Sequence, residues 1–142
     1  YIKGYLNHYN GVRRYLEKAV SEAREKGYGE TLFGRRRYLP ELTASNKMLQ
    51  AFGERVAKNM PVQGTAADII KIAMVKVYER LEKEKLKAKL IMQVHDELIV
   101  ECPENEKEKV ATILKEEMES AAEMKVMLLS DVHTGKTWFD AK

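Results

Sequence analysis

The sequence predicts an α+β fold: several long helices packed on a small antiparallel sheet that includes a tight β-hairpin over residues 90–101. Three observations predict it. Apolar residues recur at helical spacing in five separate stretches. Two segments rich in Ile, Leu and Val, residues 90–94 and 97–101, stand only two residues apart, the spacing of a tight hairpin. Asn10-Gly11, Gly27, Pro40, Pro61 and Pro103 punctuate the chain between the stretches.

Each element follows in order. Tyr1, Ile2, Tyr5, Leu6 and Tyr9 make the first helical stripe, and Asn10-Gly11 is expected to end it. This helix opens without a cap residue or Met, which suggests a chain cut from a longer one. Val12, Tyr15, Leu16, Ala19, Val20 and Ala23 form a second stripe, with Gly27 as its left-handed C-cap. Residues 28–32 and 37–39 read as short strands around the turn Phe33-Gly34-Arg35, and Pro40 stops the second. Ser45 or Asn46 can cap a helix carrying Met48, Leu49, Phe52, Val56 and Ala57 on one face. Pro61 is expected to push Met60 out of helical geometry and break that helix.

The next helix opens on a weak capping box, Thr65 with Asp68, and is expected to bury Ala66, Ile69, Ile70, Ala73, Val77 and Leu81. Residues 79–89 are densely charged and read as its solvated end plus a loop. After the hairpin, Pro103 opens a helix whose Glu104 and Glu106 favour the helix dipole. Its core face is Val110, Ile113, Leu114, Met118 and Ala121. Residues 126–133 read as one more strand. Residues 135–142 read as a tail docked by Trp138 and Phe139.

Composition narrows the classes. The chain has 142 residues, 44% hydrophobic and 33% charged, enough for one domain's core and unlike a disordered chain. No apolar run can span a bilayer, and no apolar or basic leader is present. The single Cys102 cannot form an internal disulfide, so a reducing, cytoplasmic setting is expected. His8, His95 and His133 lie far apart and give no zinc-finger spacing. The net charge of +3 is uneven: residues 1–60 hold 12 Lys and Arg against 6 Asp and Glu, and the remainder 13 against 16. The first part has the better claim to a polyanion such as nucleic acid. The run Arg35-Arg36-Arg37 adds to that claim, since guanidinium forks suit phosphate oxygens. A merely basic, solvated surface is the plain alternative.

The chemical signal is the hairpin tip. A two-residue turn wants Asn-Gly or a similar pair, because it needs positive φ. His95-Asp96 is a poor choice on propensity, and such local failure marks functional sites. Asp96 and Glu97 would offer carboxylate oxygens of the kind Mg²⁺ takes. The alternative is an ordinary polar turn, with Asp96 bonding its own backbone. His-Asp pairs of metal-dependent phosphohydrolases sit on helices, and the flanking strand pattern speaks against them.

The segment Gln93-Val94-His95-Asp96-Glu97-Leu98 resembles motif C of the family A DNA polymerases, the bacterial DNA polymerase I family. Three further blocks are similar to that family and fall in its order. They are Thr31-Leu32-Phe33-Gly34-Arg35-Arg36-Arg37-Tyr38, then Asn59-Met60-Pro61-Val62-Gln63-Gly64-Thr65-Ala66-Ala67-Asp68, then the ending Thr137-Trp138-Phe139-Asp140-Ala141-Lys142. The resemblance covers essentially the whole chain. Phage-type RNA polymerases share a His-Asp tip, but Glu-Leu after it favours DNA as the product.

The resemblance implies nucleotidyl transfer from a dNTP to a primer 3′ hydroxyl, with two Mg²⁺ ions, on primer–template DNA. It implies that Asp96 binds metal, that Glu97 is an accessory acid and that His95 approaches the primer end. It implies that Arg55, Asn59 and Gln63 touch DNA near the growing end, where donors can meet minor-groove acceptors of every base pair. It implies that Arg37 lies near the template backbone, with Arg35 and Arg36 as plausible phosphate contacts. Taken alone, Arg55 reads as an exposed helix charge and Gln63 as an ordinary turn amide. Asp68 reads as structural.

By the same resemblance, residues 1–60 are a basic helical segment at the end of the fingers, in contact with DNA. Residues 61–142 are a palm portion with the motif C hairpin and the C-terminus, and the two form one continuous unit. The family's motif A aspartate and its dNTP-gripping fingers helix do not occur here, so the second carboxylate is expected from a missing N-terminal part, and the fragment alone is expected to be inactive. A bacterial, nucleoid-associated location and no membrane partner follow. Two other classes stand beside this one: a non-catalytic nucleic-acid-binding module with a purely structural hairpin, and a plain structural domain.

Overall fold

The computed structural model describes the backbone of residues 2–141, with side chains from Gly4 to Ala141. Tyr1, Lys142 and the Ile2 side chain, all part of the sequence-based expectations, lie outside the described residues. The chain divides into two compact units, residues 1–66 and 67–142. Among the described residues the strands form two separate two-stranded antiparallel sheets rather than one.

In the first unit, helix α1 (Ile2–His8) is followed by α2 (Asn10–Lys26). The break falls at Tyr9, whose φ of −103° and ψ of 69° leave the helix, so Asn10-Gly11 does not end α1. It lies in the first turn of α2, where backbone N–H groups lack intrahelical partners anyway and a weak helix former costs little. Gly27 caps α2 at φ +80°, its N–H donating to the Ala23 carbonyl at 2.9 Å. Strand β1 (Tyr28–Glu30) then pairs with β2 (Arg36–Tyr38), setting Gly29 opposite Arg37.

A 3₁₀ turn (Pro40–Thr43) leads to α3 (Lys47–Asn59). Asn46 is the cap, its Oδ1 accepting the Met48 N–H at 2.8 Å. The expected apolar face of α3 is only partly right. Met48, Leu49 and Phe52 are exposed, while the smaller Gly53 and Ala57 are buried. Ala57 joins Ala23, Leu39 and Leu42 in the core of this unit, with Val20 and Val56 half-buried against it.

Pro61 does not break the chain's helical path. Met60 keeps helical angles (φ −55°, ψ −47°), and residues Met60–Gly64 form a π turn that runs into α4 (Thr65–Lys83). A proline cannot donate and crowds the carbonyl four residues back, and a locally widened turn relieves both. Thr65, already helical at φ −64° and ψ −42°, is therefore not the start cap of a capping box.

In the second unit, Ala73, Val77 and Leu81 of α4 are buried as their spacing predicts. Ile69 and Ile70 are half-buried, whereas Ala66, assigned to the same stripe, is exposed. After α4 the Lys85 N–H donates to the Glu82 carbonyl and the Leu86 N–H to the Leu81 carbonyl. These bonds are a Schellman motif, and Leu86 completes it by packing on the cluster that holds Leu81. The left-handed position is Lys85 at φ +54°, where glycine is the usual residue. Lys85→Gly is thus expected to stabilise the protein by roughly 1 kcal/mol, measured as a rise in denaturation midpoint.

Strand β3 (Lys89–Val94) pairs with β4 (Glu97–Glu101), and α5 (Lys107–Glu119) follows a 3₁₀ turn (Glu104–Glu106). A bulge between Leu90 and Met92 shifts the phase of β3. Leu90 and Gln93, three residues apart, become the partners of Val100 and Leu98. Leu98 and Val100 pack on the core formed by Val77, Leu81, Ala88, Val110 and Ile113. Arg80 ties α4 to α5 through Glu84, Glu116 and Glu117, and Lys109 reaches Glu84 at 2.7 Å. Lys109 and then Arg80 hold the Glu84 carboxyl below the usual carboxylate range.

Cys102 is half-buried next to this core. Burial first, and Glu106 and Glu104 next, push its thiol up. Less thiolate forms at a given pH, so iodoacetamide should alkylate Cys102 several-fold more slowly than a free thiol of pKa about 8.5, and unfolding in urea should remove the difference.

Residues 126–133 form no strand. Val126, Met127 and Leu129 are 77%, 79% and 80% exposed, and no described strand pairs with them. Alternating apolar residues suit a strand, but a strand exists only through a neighbouring backbone. The tail is not docked by Phe139, which is 86% exposed. It folds locally instead: the Thr137 N–H and hydroxyl donate to Asp140 Oδ2 at 3.1 and 2.6 Å. No helix among the described residues is long and apolar enough to cross a membrane.

Candidate nucleic-acid interface

The residues singled out from the sequence fall into two groups, one in each unit. In the first unit, Arg37, Asn59 and Gln63 line one cavity of about 270 Å³, completed by Val56, Met60 and Gly64. Arg37 comes from β2 and Asn59 from the end of α3, while Gln63 lies in the π turn. The residues around the cavity therefore include one with a guanidinium and two with amides, all able to donate hydrogen bonds. Arg55 does not line it. Its guanidinium stands 5.7 Å from the centre of the Phe52 ring, one turn back on α3.

The three adjacent arginines divide into different roles. Arg36 pairs with Glu30 at 3.4 Å and lies 4.6 Å from the centre of the Tyr28 ring. Arg35 turns its Nη2 onto the Gly64 carbonyl at 2.9 Å. Among the described residues the Arg37 side chain makes no ion pair or hydrogen bond, and Arg37 lines the cavity. Alternation along β2 separates Arg36, opposite Glu30, from Arg37, since successive side chains point to opposite faces.

In the second unit, His95 and Asp96 are the two turn residues between β3 and β4. His95 takes φ +52°, the positive value that a two-residue hairpin demands of its first central residue. Asp96 and Glu97 follow it, both exposed. The Gln93 side chain donates from Nε2 to the His95 carbonyl at 2.6 Å and braces the turn from β3. The sequence gives Gln93 no role of its own, although the bond is local and spans only two residues of the chain. Thr65 has no sequence signal for its role either: its hydroxyl accepts the Leu32 N–H at 2.9 Å and donates to the Pro61 carbonyl.

Among the described residues no three His, Cys, Asp or Glu converge as a metal cage. The donor chemistry of the tip still fits part of a Mg²⁺ site. Mg²⁺ is held through one or two carboxylates together with waters and substrate phosphates, and Asp96 with Glu97 supplies exposed carboxylates at a braced turn.

The profile of DNA polymerase family A matches residues 1–140, and the chain belongs to that family. It is 49% identical over all 142 residues to the DNA polymerase I of Bacillus caldotenax, and 47% identical to the thermostable DNA polymerase I of Thermus thermophilus. It covers 16% and 17% of those proteins, about a sixth of the length of the curated relatives it matches. Among solved structures it is similar to the POL domain of Pol1 from M. smegmatis in complex with DNA primer-template and dNTP. The TM-score is 0.95 at 41% identity, over 99% of this chain and 25% of that one.

Proposed function

We propose that this chain serves template-directed DNA synthesis as the motif C part of a DNA polymerase I-like enzyme. The reaction is nucleotidyl transfer from a dNTP to the primer 3′ hydroxyl. The observation that carries the reading is an exposed carboxylate, Asp96, at a braced two-residue turn, in a chain that matches family A throughout. Residues 1–60 would be the DNA-contacting end of the fingers, and residues 61–142 the palm portion.

Asp96 would hold Mg²⁺, with Glu97 as the accessory acid and a second carboxylate supplied from outside this chain. When bound, Mg²⁺ neutralises charge on the reacting phosphates and favours the alkoxide of the attacking hydroxyl. The chain's own residues bind and orient. His95 stands next to Asp96 and would meet the primer end. Arg37 would hold a template phosphate as a charged donor. Asn59 and Gln63 would meet acceptors present in the minor groove of every base pair, with Arg55 beside them on α3. Such contacts grip any sequence alike, as a copying enzyme must. Acting on chromosomal DNA, the enzyme would work in the bacterial cytoplasm, at the nucleoid.

The test is primer extension. Joined to the upstream part of a family A polymerase, the chain should extend a primer with dNTPs, and chelation of Mg²⁺ should stop it. The 142-residue chain by itself should bind primer–template weakly and extend nothing. Extension by the isolated chain, or none by the joined one, overturns the reading.

A further inference from the structure

We infer that Thr65 and Arg35 form a latch that fixes Arg37 against Asn59 and Gln63, and so govern primer–template binding without touching the DNA. The inference rests on the proposal that the cavity between those three residues is a DNA surface.

The latch starts at Pro61. In an α-helix the Pro61 carbonyl would accept the Thr65 N–H. In the π turn that N–H goes to the Val62 carbonyl instead. The Thr65 hydroxyl takes over, donating to the Pro61 carbonyl. The same oxygen accepts the Leu32 N–H at 2.9 Å, from the turn between β1 and β2. One buried hydroxyl, 7% exposed, thus joins the hairpin turn to the π turn. Its donor and one of its two acceptor sites are used.

A second tie runs alongside. Arg35 Nη2 donates to the Gly64 carbonyl at 2.9 Å. The Arg35 backbone is braced in turn, since its N–H donates to the Thr31 hydroxyl at 3.2 Å. The two elements are in contact here: a Cβ at Gly64 would stand 2.7 Å from the Thr31 Cγ2, closer than carbon atoms approach. Two residues beyond Arg35, β2 carries Arg37 to the cavity whose other donors belong to α3 and the π turn. The ties therefore set the spacing between donors on separate elements. Positioned donors bind a rigid duplex better than mobile ones, because less freedom is given up on binding.

The salt dependence of binding separates a latch from a phosphate contact. Removing one phosphate-binding group makes the slope of log K against log salt shallower by about 0.9. In the complete polymerase carrying this chain, Arg37→Ala should weaken primer–template binding and make the slope shallower by about one. Thr65→Val and Arg35→Met should weaken binding roughly tenfold with the slope unchanged, and Thr65→Ser should restore wild-type affinity. A slope made shallower by Arg35→Met would show that Arg35 holds a phosphate and would end the latch. So would wild-type affinity in Thr65→Val, or a Thr65→Ser as weak as the valine variant. An Arg37→Ala variant with unchanged affinity and slope removes the DNA reading of the cavity itself. Thr65→Ser and Arg35→Met keep the inference open to refutation even where Thr65→Val fails to fold.

Discussion

Asp96→Ala is expected to abolish primer extension while changing stability by no more than about 0.5 kcal/mol, the usual range for exposed positions. The small stability effect follows from where the turn is held. His95, not Asp96, takes the positive φ. Gln93 holds the His95 carbonyl, and the register pairs Val94 with Glu97 across the turn. None of these uses the Asp96 carboxylate. The effect on rate should be large, because stabilising charge on reacting phosphates is worth several kcal/mol, or roughly a thousandfold or more at about 1.4 kcal/mol per tenfold. Primer–template affinity without dNTP should stay within a few-fold of wild type. Extension rates, binding and melting of the joined polymerase check this together. Extension at wild-type rate by the alanine variant would make Asp96 an ordinary turn residue and remove the hairpin from the chemistry.

The two groups of candidate residues are not equally legible in the sequence. The tip is local: two strand-like segments two residues apart, with an unsuited pair between them, place His95 and Asp96 on a turn. The cavity was not local. Arg37 meets Asn59 and Gln63 only because Gly29 pairs with Arg37 and because the helix passes Pro61 as a π turn. The rule that proline breaks a helix concerns α geometry, and the wider turn evades it. The family resemblance supplied those three residues, and their spacing alone did not.

The fold shows the same division. Ala73, Val77 and Leu81 are buried at the spacing their periodicity demands. On α3 the apolar count misleads, since the close face is made by Gly53 and Ala57 while Met48 stays 80% exposed. Small residues let a helix approach its neighbour, and hydropathy does not record that. Residues 126–133 have strand composition without a paired neighbour, and pairing is a property of two segments.

Ile113→Ala should have the largest effect on stability in the second unit, and its consequence for activity should differ in kind from that of Asp96→Ala. Ile113 is 1% exposed, in a core shared by α4, α5 and the inner face of β4. Truncation removes three methyl or methylene carbons and leaves a cavity that the surrounding helices close only in part, a cost of about 2–5 kcal/mol. Ile113→Val should cost only about 0.5–1.5 kcal/mol. Leu98 and Val100 rest on that core, so the damage reaches the hairpin through its seat. Amide exchange of β3 and β4 should accelerate roughly 30- to 5000-fold where it proceeds by opening of this unit. Asp96→Ala should leave those amides protected. Temperature then separates the two defects. Cooling from the growth range towards the temperature of maximum stability should restore primer extension to Ile113→Ala, whose carboxylate is intact but poorly held. It should restore nothing to Asp96→Ala. Equal recovery of both on cooling would mean that Asp96 supports the hairpin rather than the reaction.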